Sequence, residues 1–262
     1  MLPIYDKPMI HYPISTLMLA GIREILIITT PQDQSSFMNL LGDGKELGVN
    51  FQFETQGTPK GLAEALIIAS DFLDGDKCMM ILGDNIFHGY GFGHGLQNFS
   101  EMSGCHIFLY EVSTPSEYGI VELDKNEKIV SLQEKPSKPK SNLAITGLYV
   151  FDYLASDFAK QVSPSPRGEL EITSVLEKYM EINTLDYSKM SRGTAWLDTG
   201  NFNSLHDAAT YIRVLEERTG LKVACLEEIA WRNGWINSKE LMDIANLEKS
   251  KNNKGYLLRI LT

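Results

Sequence analysis

The sequence has few cysteines, no long hydrophobic run and a deficit of basic side chains. Its three cysteines, Cys78, Cys105 and Cys225, lie far apart beside apolar residues. A disulfide framework or a zinc site needs closely spaced pairs, so we expect reduced, mostly buried thiols. No apolar run approaches the roughly 20 residues that span a bilayer. The first residues carry charges and prolines, which is atypical of a signal peptide.

The charge balance limits the classes of partner. The chain of 262 residues has 24 Lys and Arg against 34 Asp and Glu, a net charge of −10. Such an acidic chain is not expected to bind nucleic acid or an anionic membrane surface. A local cluster of cations can still hold a small anionic substrate. Together with the reduced cysteines, this composition predicts a cytoplasmic protein.

Hydrophobic periodicity predicts an α/β fold. Helix-like and strand-like segments alternate through the first 85 residues, which is typical of parallel βαβ units. The predicted helices there are 9–20, 34–41 and 61–72, and the strands are 24–29, 49–54 and 77–82. Further strands are expected at 105–112, 142–151 and 184–190, with a hairpin over 119–124 and 128–134. Helices are expected at 157–162, 171–181 and 202–218, and the remainder is mainly helical.

These elements predict a mostly parallel, doubly wound, Rossmann-like sheet. A β-hairpin region is inserted into it, and a helical part follows it. No repeat or Pro-rich linker divides the chain. We therefore predict a single domain over 1–262, with 203–262 as a helical C-terminal subregion.

Two aspartates follow strand-like segments and are candidate metal ligands. Asp84 lies in the run Leu-Gly-Asp-Asn, and Asp198 lies in Trp-Leu-Asp-Thr-Gly. Open α/β sheets bind ligands at the carboxyl ends of their strands, and Mg²⁺ prefers carboxylate and phosphate oxygens. Either aspartate could instead cap a helix or close a turn, and the sequence alone leaves both interpretations open.

Three further segments carry polar groups suited to a phosphorylated substrate. Glu134 and Lys135 close a strand and could hold sugar hydroxyls and a phosphate, or form a solvated surface pair. The loop with Gln56 and Gly61 opens onto a buried helix, where backbone N–H groups suit phosphates or base edges. Arg167 precedes another helix and could clamp a phosphate or lie on the surface. His88 and His94 lack a third ligand nearby, so no metal site is expected there.

In this order and spacing, the segments resemble the sugar-1-phosphate nucleotidylyltransferase family. The resemblance covers essentially the whole chain and is carried by residues 2–10, 82–87, 134–136, 145–149, 167–173 and 195–200. A metal-dependent glycosyltransferase is a less suitable alternative, because that class uses a compact Asp-x-Asp motif and here Asp84 is followed by Asn85 and Ile86. The resemblance implies a reaction in which glucose 1-phosphate attacks the α-phosphorus of dTTP and pyrophosphate leaves.

The resemblance also assigns roles to residues of this chain. Asp84 and Asp198 match the family's Mg²⁺ ligands, and Gln56 and Gly61 match positions that read the base. The sugar-binding positions are matched by Tyr118, Gly119, Glu134 and Ile145. Lys135 and Arg167 match cations that hold the sugar phosphate. The family is usually tetrameric, so a homotetramer is expected. The choice of dTTP over UTP stays open.

The strand and Gly-rich run that open the family pattern have no match before Leu2. The family opens with a strand and the run Gly-Gly-x-Gly-Thr-Arg-Leu, which cradles the triphosphate. In the family that strand is central, between the equivalents of 24–29 and 77–82. About four buried aliphatic side chains of that strand would contribute ~6–12 kcal/mol to the free energy of unfolding. That is comparable with the ~5–15 kcal/mol stability of a whole domain. We therefore expect an empty slot in the sheet, with impaired turnover and folding. A non-catalytic subunit that binds sugar phosphate or nucleotide, or joins full-length partners, is the alternative function.

Overall fold

The computed structural model describes residues 2–98 and 102–262. Within these residues the strands are β1 (Pro3–Ile4), β2 (Lys7–Pro8), β3 (Glu24–Thr29), β4 (Asn50–Thr55), β5 (Cys78–Ile81), β6 (Asn85–His88), β7 (Cys105–Glu111), β8 (Gly119–Leu123), β9 (Ile129–Glu134), β10 (Leu143–Phe151), β11 (Leu185–Lys189) and β12 (Ala195–Asp198). The helices are α1 (His11–Leu19), α2 (Gln34–Leu41), α3 (Ala63–Ile68), α4 (Ser70–Leu73), α5 (Phe92–Gln97), α6 (Ala155–Lys160), α7 (Ile172–Glu181), α8 (Phe202–Thr219), α9 (Leu226–Arg232), α10 (Ser238–Leu247) and α11 (Lys251–Ile260).

The largest sheet is mixed, with β10 as its centre. β10 pairs antiparallel with β7 along one edge, and with β5 and β8 along the other. β11 runs parallel to β7, so β5, β7 and β11 share one direction. β8 and β9 form the hairpin that the sequence predicts. The α/β class with an inserted hairpin is therefore confirmed, and the reversed direction of β10 is the feature that the sequence did not predict.

A gap separates this sheet from the parallel pair formed by β3 and β4. β3 pairs with β4, β5 pairs with β10, and in the described residues no strand lies between β3 and β5. Both strands instead line a cavity of about 870 Å³, together with α1 and α3. The expected empty slot is thus present. Its wall reaches Gln56 and Gly83, which follow β4 and β5 at their carboxyl ends.

A short antiparallel ribbon, formed by β6 and β12, carries the two candidate metal ligands. Asn85 pairs with Asp198, and Phe87 pairs with Trp196. Phe87 and Trp196 pack on one hydrophobic cluster and Ile86 on another, so both faces of the ribbon are buried. β6 is a strand that the sequence patterns did not predict.

A charge cluster fixes the amino-terminal hairpin to α8. Lys7 is 7% exposed and its Nζ lies 2.8 Å from Glu216 Oε1. Lys222 Nζ bonds to the other oxygen of Glu216 at 2.8 Å and also pairs with Asp6. These contacts join segments that are 209 residues apart in the sequence.

Two sequence predictions about composition can be compared directly with the structure. The three cysteines are unpaired thiols, and Cys105 is buried. Burial raises the pKa of the Cys78 thiol to about 12, which keeps it protonated. None of the helices in the described ranges combines the length and apolar character of a membrane span.

Candidate active site

Asp84 and Asp198 converge at the end of the β6–β12 ribbon. A Cβ placed on Gly200 would lie 3.1 Å from Asp198 Oδ1 and 3.8 Å from Asp84 Oδ2. Thr199 fixes this arrangement, because its backbone N–H and its hydroxyl donate to the Asp84 carbonyl at 3.0 and 2.7 Å. The two carboxylates, 114 positions apart by their residue numbers, thus face a common point.

The electrostatic environment of this pair favours a bound cation. Burial raises the pKa of Asp198, and the carboxylate of Asp84 raises it further. The Gly200 N–H, which donates to Asp198 Oδ1 at 3.0 Å, acts in the opposite direction. The described residues contain no group of three or more His, Cys, Asp or Glu side chains suited to a metal. A two-carboxylate site fits an ion that takes its other ligands from phosphate and water, as Mg²⁺ does.

The four predicted sugar-binding residues lie together beside this pair. Gly119 and Glu134 are partners in the β8–β9 hairpin. A Cβ on Gly119 would lie 3.2 Å from Thr173 Cγ2, 3.4 Å from Ile145 Cδ1 and 3.5 Å from Glu134 Oε2. Tyr118 precedes Gly119, and its ring packs edge-on against Trp196 with centroids 5.2 Å apart. Glycine at 119 leaves the space that a ligand would need.

Glu134 is the polar group of this pocket. Its Oε2 accepts a hydrogen bond from the Thr173 hydroxyl at 3.1 Å. Burial raises the pKa of Glu134, and the neighbouring carboxylate of Glu171 adds to the effect. A half-buried carboxylate of this kind is a strong acceptor for sugar hydroxyls.

Lys135 adjoins both the metal-binding pair and the sugar pocket. Its ammonium counteracts the upward shifts in the pKa of Asp198 and of Glu134. Its backbone has a φ of 38°, in the left-handed region that non-glycine residues rarely adopt. The backbone N–H of Lys135 donates to the Tyr118 carbonyl at 3.1 Å, which holds the turn in place. Strain of this kind often occurs at functional sites.

Arg167 reaches the same pocket from the loop before α7. Its Nη1 lies 3.8 Å from Glu134 Oε1, and its Nη2 donates to Glu169 Oε2 at 2.7 Å. Its Nε lies 3.8 Å from Glu171 Oε1. The guanidinium is 40% exposed, so an incoming phosphate can compete for it.

Gln56 and Gly61 lie together, on the side of the cavity between β3 and β5. Gln56 Nε2 donates to Glu64 Oε2 at 2.7 Å and to the Gly61 carbonyl at 3.3 Å. Gly61 has a φ of 107°, and a Cβ there would lie 2.4 Å from the Leu170 carbonyl oxygen. Glycine is therefore required where this loop meets the segment that carries Arg167. Contacts and charge interactions thus link eight of the ten predicted residues, the two aspartates among them, while Gln56 lines the cavity and is hydrogen-bonded to Gly61.

Sequence reasoning missed several residues that organise the site. Asn85, Gly147 and Trp196 form a hydrogen-bonded group behind Asp84, and Thr173 and Glu171 contact Glu134 and Arg167. They lie in segments that carry the family resemblance, but no local pattern predicts their contacts, because their partners come from distant elements. His88 Nδ1 lies 3.0 Å from the Tyr211 hydroxyl. The side chain of His94 lies outside the described residues.

Comparisons with known proteins identify the family. A family model described as nucleotidyl transferase matches residues 1–214. The chain belongs to this nucleotidyl transferase family. It is similar, at 48% identity, to the glucose-1-phosphate thymidylyltransferase of Neisseria meningitidis serogroup A, covering 100% of this chain and 91% of that protein. The Mycobacterium tuberculosis protein of the same name is 49% identical, with 100% and 91% covered.

Solved structures of nucleotidyl transferases support the fold. A crystal structure from Bacillus anthracis, described as a glucose-1-phosphate thymidylyltransferase, matches with a TM-score of 0.74 at 34% identity. The match covers 81% of this chain and 85% of that one. A UDP-glucose pyrophosphorylase matches with a TM-score of 0.71 at 21% identity, which concerns the fold alone. The sequence-derived assignment to a nucleotidyl transferase is thereby confirmed.

Proposed function

We propose that this nucleotidyl transferase moves a thymidylyl group from dTTP to glucose 1-phosphate, giving dTDP-glucose and pyrophosphate. The observation that carries the proposal is the adjacency of the aspartate pair to the pocket of Gly119, Glu134 and Ile145, since Lys135 interacts with both Asp198 and Glu134. The high identity to proteins named for this reaction supports the choice of substrates. We further propose a cytoplasmic homotetramer that binds neither nucleic acid nor membrane.

The reaction needs alignment of two anions, and the site offers groups for that task. A phosphate oxygen of glucose 1-phosphate forms a bond to the α-phosphorus while the bond to pyrophosphate breaks. Lys135 and Arg167 hold the sugar phosphate and offset its charge. Glu134 accepts hydrogen bonds from sugar hydroxyls, and Tyr118 and Ile145 bound the ring. Positioning of this kind can provide a large share of the rate enhancement without a covalent intermediate.

We propose that Asp84 and Asp198 hold Mg²⁺. Bound there, the ion would neutralise charge on the reacting phosphate. The support is the convergence of the two carboxylates on a common point, together with the partial burial of Asp198. Gln56 and Gly61 are proposed to read the base. Gln56 would then exchange its bond to Glu64 for the nucleotide.

The cavity between β3 and β5 is the observation that motivates a second candidate function. The sheet is interrupted beside Gln56, on the proposed nucleotide side, whereas the sugar side is continuous. A protein with this geometry could bind sugar phosphate without turnover, as a non-catalytic subunit. That function predicts affinity for glucose 1-phosphate and no product.

One experiment separates the two functions. The purified protein is incubated with dTTP, glucose 1-phosphate and Mg²⁺, and dTDP-glucose is measured by liquid chromatography, with UTP as a competing nucleotide. We expect dTDP-glucose to form only with Mg²⁺ and in preference to the uridine product. Calorimetric binding of glucose 1-phosphate without product would favour the non-catalytic function. Neither binding nor product would refute both.

A further inference from the structure

Asn85 is a buried amide at the centre of a small hydrogen-bond network behind the aspartate pair. Asn85 is only 2% exposed. Its Oδ1 accepts from Trp196 Nε1 at 2.6 Å and from the Gly147 backbone N–H at 3.1 Å. Its Nδ2 donates to Asp84 Oδ1 at 2.8 Å. One side chain thus connects β6, β10 and β12 to a proposed metal ligand.

The orientation of this amide is dictated by its neighbours. An asparagine can usually be turned over, because its oxygen and nitrogen have the same shape. Here both groups on one side, the indole Nε1–H of Trp196 and the N–H of Gly147, can only donate. The oxygen must therefore face them, and the Nδ2 donor must face Asp84. Turning the amide over would place the Nδ2 donor against two buried donors and leave all three without an acceptor, which is unfavourable.

The backbone of β10 is shaped to supply one of those donors. The pairing of β10 with β7 shifts register between Ile145 and Tyr149, so Gly147 lies at a bulge. Its N–H is directed at Asn85, while its carbonyl accepts from the Leu82 N–H at 2.9 Å. A Cβ at 147 would lie 2.5 Å from Asn85 Oδ1. Glycine is required there because Asn85 approaches so closely.

The consequence concerns the two oxygens of Asp84. Asn85 engages Oδ1, whereas Oδ2 is the oxygen that faces the common point with Asp198. A carboxylate held at one oxygen by a fixed donor cannot rotate freely, so the other oxygen keeps its direction. Groups that orient metal ligands in this manner commonly change metal affinity or activity by about 10–100-fold when removed.

We propose that Asn85 is a positioning residue that aims Asp84 Oδ2 at the metal, and that Trp196 and Gly147 fix its amide in the required orientation. The proposal rests on the proposed function, since it assumes that the aspartate pair holds a divalent ion. It assigns Trp196 a specific task besides packing against Tyr110 and Tyr118.

The test compares Asn85→Ala and Trp196→Phe with the unmodified protein. Trp196→Phe keeps an aromatic ring but removes the Nε1 donor together with part of the indole, and it is the second variant if Asn85→Ala does not fold. Trp231→Phe is the matched control, because Trp231 Nε1 donates to Ser238, outside the site. Binding of Mn²⁺ in the presence of dTDP-glucose is followed by electron paramagnetic resonance, and half-saturating Mg²⁺ is measured for product formation.

We expect Asn85→Ala to weaken Mn²⁺ binding and raise half-saturating Mg²⁺ by about 10–100-fold, with turnover largely restored at high Mg²⁺. Trp196→Phe should also weaken Mn²⁺ binding and raise half-saturating Mg²⁺, by a smaller factor. Trp231→Phe should change neither quantity. A purely structural role would lower thermal stability without a shift that Mg²⁺ can reverse. Unchanged metal dependence in Trp196→Phe, or a raised KM for glucose 1-phosphate alone, would overturn the proposal.

Failure of the proposed function gives a different result. In that case the unmodified protein itself binds no Mn²⁺ with dTDP-glucose and forms no product. If it does both and the Asn85 and Trp196 variants match Trp231→Phe, only the role of Asn85 is wrong.

Discussion

Replacing Gly200 with alanine is expected to damage the proposed metal site while leaving the fold intact. The new methyl group would lie 3.1 Å from Asp198 Oδ1 and 3.8 Å from Asp84 Oδ2. The shorter distance is below ordinary van der Waals contact, so the Asp198 carboxylate must move by a few tenths of an ångström. Gly200 is not among the glycines with positive φ, so alanine is compatible with its backbone.

The magnitude follows from the tolerance of the chemistry. A misplacement of about 1 Å can cost roughly 100-fold in rate, and Mg²⁺ demands near-ideal geometry at about 2.0–2.1 Å. We therefore expect Gly200→Ala to lower kcat/KM by about tenfold or more and to raise half-saturating Mg²⁺. Its free energy of unfolding should change by less than about 1 kcal/mol, as for a substitution without core disruption.

Steady-state kinetics across a Mg²⁺ series and urea denaturation measure the two effects. Gly193→Ala is the matched control, because a Cβ there would meet no atom within 4 Å. The control should behave as the unmodified protein does. Equal Mg²⁺ dependence in Gly200→Ala and Gly193→Ala would refute the placement of the metal between the two aspartates.

Three further predictions concern the sugar pocket, the buried charges and pH. Glu134→Gln should raise the KM for glucose 1-phosphate by about tenfold, because a charged acceptor is lost, and should leave the KM for dTTP unchanged. Glu122→Gln, on the same hairpin, is the control. A change in the KM for dTTP alone would contradict the assignment. Lys7→Ala should lower the free energy of unfolding by about 3 kcal/mol, because it leaves the buried carboxylate of Glu216 with one cation. Lys45→Ala should change it little, since Lys45 is 81% exposed; equal denaturation midpoints for the two variants would refute the prediction. Burial, and then the ammonium of Lys7, lower the pKa of His11 to about 4. The unfolded chain, with a His pKa near 6.5, therefore binds the proton first, so stability should fall as pH drops from about 6.5 to 4. Denaturation at several pH values should show a shallower fall for His11→Gln than for the unmodified protein, and identical slopes would show that His11 does not contribute.

The sequence predicted what local patterns determine. The apolar runs of β3 and β5 and the alternating hairpin of β8 and β9 coincide with observed strands within a residue or two. The ordered motifs predicted which residues would meet: Gly119, Glu134 and Ile145 do lie together. Their roles in binding remain predictions.

Other features could not be read from local patterns, because they depend on contacts between distant segments. The reversed direction of β10 follows from its place between β5 and β7, which no periodicity reveals. β6 contains only four residues and acquires its extended form by pairing with β12, more than 100 positions later. Asn85 was not predicted as a site residue, since its partners Trp196 and Gly147 come from other strands.

The central claim is that Asp84 and Asp198 together hold a divalent ion beside the sugar pocket. It is tested most directly by Mn²⁺ binding in the presence of dTDP-glucose, for the unmodified protein, Asp84→Asn, Asp198→Asn and the exposed control Asp243→Asn. We expect a single class of bound Mn²⁺ in the unmodified protein and the control, and its loss in both site variants. Binding that is unchanged in Asp84→Asn and Asp198→Asn would contradict the claim.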